Sequence, residues 1–167
     1  METVTLNPLK QPQYTITRSL IGQLHIDCPG NPPLLLHSTV KTIPVIVNTN
    51  VCSGRIIQDE PFYIVEINVN VSSAIDNGLK AHDLMFVYMA FVHINDTSLD
   101  EDSIHHILND VVPKSKFNDI NTIVFNATNA TGYPVTLDKK QYEESITDNG
   151  TTEWDEDNFS NNVNSDA

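Results

Sequence analysis

The clearest pattern in the chain is a strict alternation between Phe62 and Ser73. Tyr63, Val65, Ile67, Val69 and Val71 alternate with Glu66, Asn68, Asn70 and Ser72. A period of two places one set on a buried face and the other in water, which predicts a half-buried strand. Two earlier segments read the same way. In Tyr14 to Asp27, Ile16, Leu20, Leu24 and Ile26 are expected to share a face, with Gly22 on that face marking a bulge or bend. In Thr39 to Ser53, Ile43, Val45, Val47 and Val51 alternate. Cys28-Pro-Gly-Asn-Pro-Pro33 breaks the chain between these two, and Asp76-Asn77-Gly78 is a turn signal after the third.

A fourth strand, Asp83 to Ile94, differs in kind. Leu84, Phe86, Tyr88, Ala90, Val92 and Ile94 lie on one face, and Met85, Val87, Met89 and Phe91 on the other. A strand apolar on both sides needs both sides covered. Its neighbour, the third strand, wets its outer side. The second face of strand four is therefore expected to meet another subunit or a ligand, the alternative being a loop of the same chain. Methionine and aromatic side chains suit varied partners, because methionine is flexible and polarizable.

Helical spacing then takes over. Ser98-Leu-Asp-Glu101 is a capping-box pattern, and Ile104, Ile107, Leu108 and Val111 follow at three- and four-residue intervals. Pro113 is expected to end that helix and open the next, along which Phe117, Ile120, Val124 and Ala127 recur. Thr122-Ile-Val-Phe125 opposes this with strand propensity. Gly132 and Pro134 close the second helix, and a short third one is expected over Lys139 to Ile146. Four strands followed by two or three helices predict an α+β fold, an antiparallel sheet covered on one face by helices.

Length and charge refine this picture. With 167 residues, the chain fits one domain, expected to span residues 14–147 between a flexible N-terminal segment, 1–13, and a disordered acidic tail, 148–167. Of the 22 acidic residues, eight fall in 143–167, where Lys and Arg are absent, so the formal charge of −13 leaves a balance of −5 on the rest. No basic cluster stands ready for phosphates, which argues against nucleic-acid binding. Acidic repulsion favours solubility in a protein that exposes apolar surface. No run of 18 apolar residues predicts a membrane span, and the N-terminus lacks the charged and apolar regions of a signal peptide, which places the protein in the cytoplasm. In that compartment Cys28 and Cys52 are expected to stay unpaired, and the sequons at Asn95, Asn126, Asn129, Asn149 and Asn158 to stay unmodified.

Catalytic patterns are scarce. There is no phosphate loop, nucleophile elbow or glycine fingerprint. Glu101 and His105 share a helix face, but one carboxylate and one imidazole fall short of a metal site, and His25, His37, His82 and His93 show no ligand spacing. Neither an enzyme nor a cofactor is expected.

Several segments, taken in order, resemble the SecB family of export chaperones over about Tyr14 to Tyr142. The first is Tyr14-Thr-Ile-Thr-Arg18, followed by His25-Ile-Asp-Cys-Pro-Gly-Asn-Pro32. Next come the alternating run Phe62 to Val71, Pro113 with Phe117, Thr131-Gly-Tyr-Pro134, and Leu137 with Tyr142. Lys116-Phe-Asn-Asp-Ile-Asn121 departs from an aromatic-proline-tyrosine-alanine-arginine run typical of that family. The resemblance implies a four-stranded antiparallel sheet with a long helix, assembled as a homotetramer, a dimer of dimers. It also implies ATP-independent binding of unfolded precursor proteins for export, in apolar grooves drawing on Val45, Val47, Phe86, Tyr88, Phe117 and Val124. Met85, Val87, Met89 and Phe91 would form an oligomer or client surface. Acidic residues that dock the motor SecA in the family correspond to Asp27 here, while Gln23 and Met85 stand at the other acidic positions. Alternatives are a chaperone dedicated to one partner such as an antitoxin, and an oligomeric assembly protein without chaperone activity.

Overall fold

The computed structural model describes residues 11–28, 45–74, 80–132 and 134–153. The chain break after Cys28, the start of the second strand at 39–44, the Asp76–Gly78 turn, Tyr133 and residues 154–167 lie outside the described residues. Five strands form one sheet: β1 (Tyr14–Asp27), β2 (Val45–Arg55), β3 (Phe62–Ala74), β4 (Lys80–Ile94) and β5 (Ile146–Glu153). Their order is β1-β4-β3-β2-β5. The first four pair antiparallel, whereas β5 runs parallel to β2. The sheet is therefore five-stranded and mixed, where the sequence predicts four antiparallel strands. Residues 148–153, assigned by composition to the acidic tail, belong to β5.

The inner face carries the core. Val65, Ile67, Val69 and Val71 of β3 and Leu84, Phe86, Ala90 and Val92 of β4 are buried against the helices, as their alternation predicts. β1 departs from its predicted face. Register shifts between Ile16 and Arg18 and between Gly22 and His25 insert one extra residue each time. Each insertion turns the following side chains over. Ile16 and Ile26 thus lie in line with inner residues of β4, while Leu20 lies opposite outward-facing Met89. Gln23, inside the second bulge, takes a positive φ of 53°.

The helical layer begins with α1 (Glu101–His106), continues through a π-helical stretch (Ile107–Val111) into α2 (Val112–Ser115), and resumes as α3 (Phe117–Asn129). Asp100 is the cap of α1, accepting from Ser103 N at 2.9 Å, because Ser98 is engaged by Asp96 in a turn of its own. Pro113 sits in the first turn of a new helical segment, α2, as predicted, but the helical path runs on through it and the break falls at Lys116. A proline has no N–H for the carbonyl four residues back and crowds it. The wider π turn directly upstream accommodates that mismatch. α3 stays helical through Thr122-Ile-Val-Phe125 because Ile120, Val124 and Thr128 form a buried stripe at four-residue spacing. Finally α4 (Lys139–Ser145) is capped by Asp138 and buries Tyr142, whose hydroxyl donates to Pro113 O at 2.9 Å.

One buried polar group ties the layers together. His82 is 1% exposed, with Nδ1 2.9 Å from Ser73 Oγ and Nε2 2.8 Å from Thr131 Oγ1. Thr131 donates its hydroxyl proton to Thr128 O, so Nε2 carries the ring proton and Nδ1 accepts from Ser73. Burial pushes the His82 pKa below its ordinary 6.5. A histidine kept neutral stabilises the fold above its unfolded pKa and loses that contribution as pH falls through the lower folded value. The free energy of unfolding is expected to rise from pH 5 to 7. In His82→Asn that rise should flatten, with a cost of about 1–3 kcal/mol at pH 7. Urea titrations of both proteins check this, and equal slopes would show that His82 is not the titrating group.

Candidate functional site

The face of the sheet turned away from the helices has a definite pattern. Across the strands its residues align in rows: Leu20, Met89, Glu66 and Cys52; Gly22, Val87, Asn68 and Asn50; His25, Met85, Asn70 and Asn48. The half built from β1 and β4 is largely apolar, and the half built from β3 and β2 is largely amide. Met85 is 52% exposed and Leu24 is exposed to the same extent. Val87, Met89 and Phe91 are half-buried. The methionine–valine stripe has no covering element among the described residues. At one end Phe91 lies beneath the Arg18 guanidinium, 5.9 Å from the ring centre, and Phe62 meets the His93 ring at 4.6 Å. At the other end the surface dips into a depression of about 400 Å³ lined by Gln23, Leu24, His25, Asn68, Asn70, Met85 and Val87.

Why this face is open follows from strand four. Its inner set fills the core, and its outer set is as apolar as a second core face. The amides on β3 and β2 meet in the cross-strand pairs Asn48–Asn70 and Asn50–Asn68. Asn68 donates to Glu66 at 2.8 Å. Such an array offers hydrogen bonds to a polypeptide backbone beside an apolar strip for its side chains, which suits extended chain better than a compact small molecule.

The residues assigned by family position to a client groove lie elsewhere. Val47, Phe86, Tyr88 and Val124 are buried in the core, Phe86 at 1% and Val124 at 0% exposure, and Val45 and Phe117 pack partly buried against it. Tyr88 also donates to Asp119 Oδ2 at 2.9 Å. These six hold the helices onto the sheet. Asp27 is exposed at the end of β1, in register with Asp83, and accepts from Cys28 N. Gln23 and Met85 both line the nearby depression.

A second constellation escaped the sequence. His105 on α1 places Nε2 2.7 Å from Asp148 Oδ2 and Nδ1 2.8 Å from Thr151 Oγ1, both on β5. Asn109, 2% exposed in the π stretch, donates to Asp148 Oδ1 at 3.0 Å, and its own Oδ1 is buried without a partner. Burial raises the Asp148 pKa, but hydrogen bonds from Gly150 N, His105 and Asn109 outweigh it and hold the carboxyl below the ordinary 3.8. His105 was expected to share a face with Glu101. The two do line one depression, but the hydrogen-bond partner of His105 is 43 residues away in sequence, and no local spacing could reveal it. Among the described residues no group of three or more His, Cys, Asp or Glu side chains could hold a metal ion.

The chain matches no protein-family model and no curated protein by sequence. Solved structures do resemble it. One is the Mycobacterium tuberculosis Rv1957 SecB-like chaperone in complex with a ChAD peptide from the Rv1956 HigA1 antitoxin. It aligns with a TM-score of 0.63 and 12% identity over 75% of this chain and 90% of that one. A protein of unknown function from Streptococcus agalactiae aligns over 75% of this chain and 96% of its own at 12% identity, with a TM-score of 0.39, too distant to inform the fold. The sheet and helical layer described above thus form a SecB-like fold.

Proposed function

We propose that this protein is a chaperone that needs no nucleotide and holds a non-native polypeptide in extended form, and that it serves a dedicated client, such as an antitoxin, rather than general export. The observation that carries this reading is the open apolar stripe of β4, with Met85 half exposed beside Val87 and Met89. Folded proteins hide such side chains, and contiguous exposed apolar surface marks an interaction site. The fold supports the reading, since the SecB-like chaperone that resembles this chain was solved with an antitoxin peptide. Dedication to one client is favoured because the acidic docking positions of the export family are occupied by Gln23 and Met85, with Asp27 alone retained. Assembly as a homotetramer would multiply weak apolar contacts into useful avidity.

Light scattering tests both parts. A chemically denatured client diluted into buffer should stay soluble at a near-stoichiometric ratio of this protein, without nucleotide, and the free protein should scatter as a tetramer. A defined oligomer that leaves client aggregation unchanged across several clients would instead favour a role in assembly alone, with the β4 stripe as a contact between copies.

A further inference from the structure

The edge of β2 is occupied in an unusual way. β5 covers it in parallel, a pairing slightly weaker per residue than antiparallel. Its sequence, Ile146-Thr-Asp-Asn-Gly-Thr-Thr-Glu153, contains three residue types that strands avoid. The ladder is interrupted between Asp148 and Thr151, where Gly150 takes a φ of 92°. Among the described side chains of this strand, only Ile146 packs against the core. The remaining attachment is polar: Asp148 and Thr151 to His105, Asp148 to Asn109, and Thr151 to Ser53 Oγ at 3.0 Å. The His105 and Asp148 side chains are 40% and 44% exposed, so water competes for their hydrogen bond. The preceding helix is held separately, by Gln141 Nε2 donating to Val45 O and by Ser145 meeting Thr49. Ile146 caps α4 through its N–H to Glu143 O, so the part of β5 that can leave the β2 edge while α4 stays in place begins after Ile146.

Beneath it lies a long regular strand. β2 pairs with β3 over eleven consecutive positions without a register shift, and it alternates Val47, Thr49, Val51 and Ser53 inward with exposed Ile46 outward. An uncovered strand of this kind recruits another chain through its free backbone groups. We propose that the β2 edge is a pairing site for an extended segment of the client, one with alternating apolar residues, and that β5 is its removable built-in occupant. This rests on the chaperone reading and adds a second contact to the outer face: an incoming strand would gain backbone hydrogen bonds from β2 and continue the amide array of Asn48 and Asn50. A client strand bearing valine or isoleucine outcompetes β5 because it offers better strand propensity at the same edge.

The test uses the full chain and a fluorescein-labelled peptide alternating valine and threonine, with lysine at both ends, followed by anisotropy. Asp148→Asn weakens the clasp and is expected to tighten peptide binding by up to about tenfold, the gain available if the closed form is populated about nine-tenths of the time. Amide exchange in β5 should accelerate in the same variant. A disulfide between Asn50→Cys and Thr147→Cys, which are register partners, with Cys28→Ser and Cys52→Ser to remove competing thiols, should abolish binding when oxidised and restore it when reduced. Peptide affinity indifferent to both changes overturns the inference. If aggregation suppression persists in that case and is lost in Met85→Asp with Met89→Asp, the chaperone reading survives alone. If suppression is absent from the unmodified protein as well, both fall.

Discussion

Replacing Met85 and Met89 together by aspartate is expected to weaken binding of an unfolded polypeptide at least tenfold while leaving the fold intact. Met85 is 52% exposed and Met89 half-buried on the outer face, so neither carries the core. Surface changes of this kind usually shift stability by less than about 0.5 kcal/mol, somewhat more where a side chain is half-buried. A bound client would bury both thioethers, and each fully buried methionine is worth about 1.5–3 kcal/mol. About 1.4 kcal/mol already corresponds to tenfold in affinity, and a carboxylate under an apolar client adds a desolvation cost. Anisotropy of a labelled, permanently unfolded client gives the affinity, and circular dichroism reports the fold. Unchanged affinity in a folded variant would remove the outer face from the proposed function.

The sequence announced this face because β4 alternates between two apolar sets, a pattern that no one-sided strand needs. The wetted outer side of β3 also indicated which set of β4 would stay uncovered, since residues paired across two strands share a face. Phe86, Tyr88 and Val124 were placed in a client groove by family position alone, and in this chain they are core residues. The helical layer was legible for a related reason: Ile120 and Val124 keep their four-residue spacing through a stretch of strand formers, and burial of that stripe outweighs intrinsic preference.

Two features were illegible, both for want of a local signal. The β1 bulges invert its faces through a single extra residue each, at Thr17 and within Gly22 to His25. Gly22 hinted at the second, but nothing in Thr17 marks the first. β5 is built of residues that favour turns, and its partner strand lies about a hundred residues upstream. What holds it is side-chain chemistry, the His105–Asp148–Thr151 contacts, rather than apolar pattern. A polar segment docked by specific hydrogen bonds reads, from composition alone, like a segment left in water. The same property makes β5 a weak occupant of the β2 edge.

Phe86→Ala is expected to do the opposite of its neighbour's substitution: it should cost the protein its stability before it touches client binding. Phe86 is 1% exposed within the inner face of β4, between Leu84 and Tyr88 and beneath the helical layer. Truncating a buried phenylalanine costs about 3–5 kcal/mol, from lost transfer energy and the cavity left behind. Against a total stability of about 5–15 kcal/mol for a domain, that is a large fraction. Met85→Ala, one residue away on the open face, should shift the urea midpoint little and still lower client affinity. The two variants therefore separate the faces of one strand. If Phe86→Ala remained as stable as the parent and lost client binding selectively, the helices would have to open over the sheet to receive the client. The binding surface would then lie between sheet and helices rather than on the outer face.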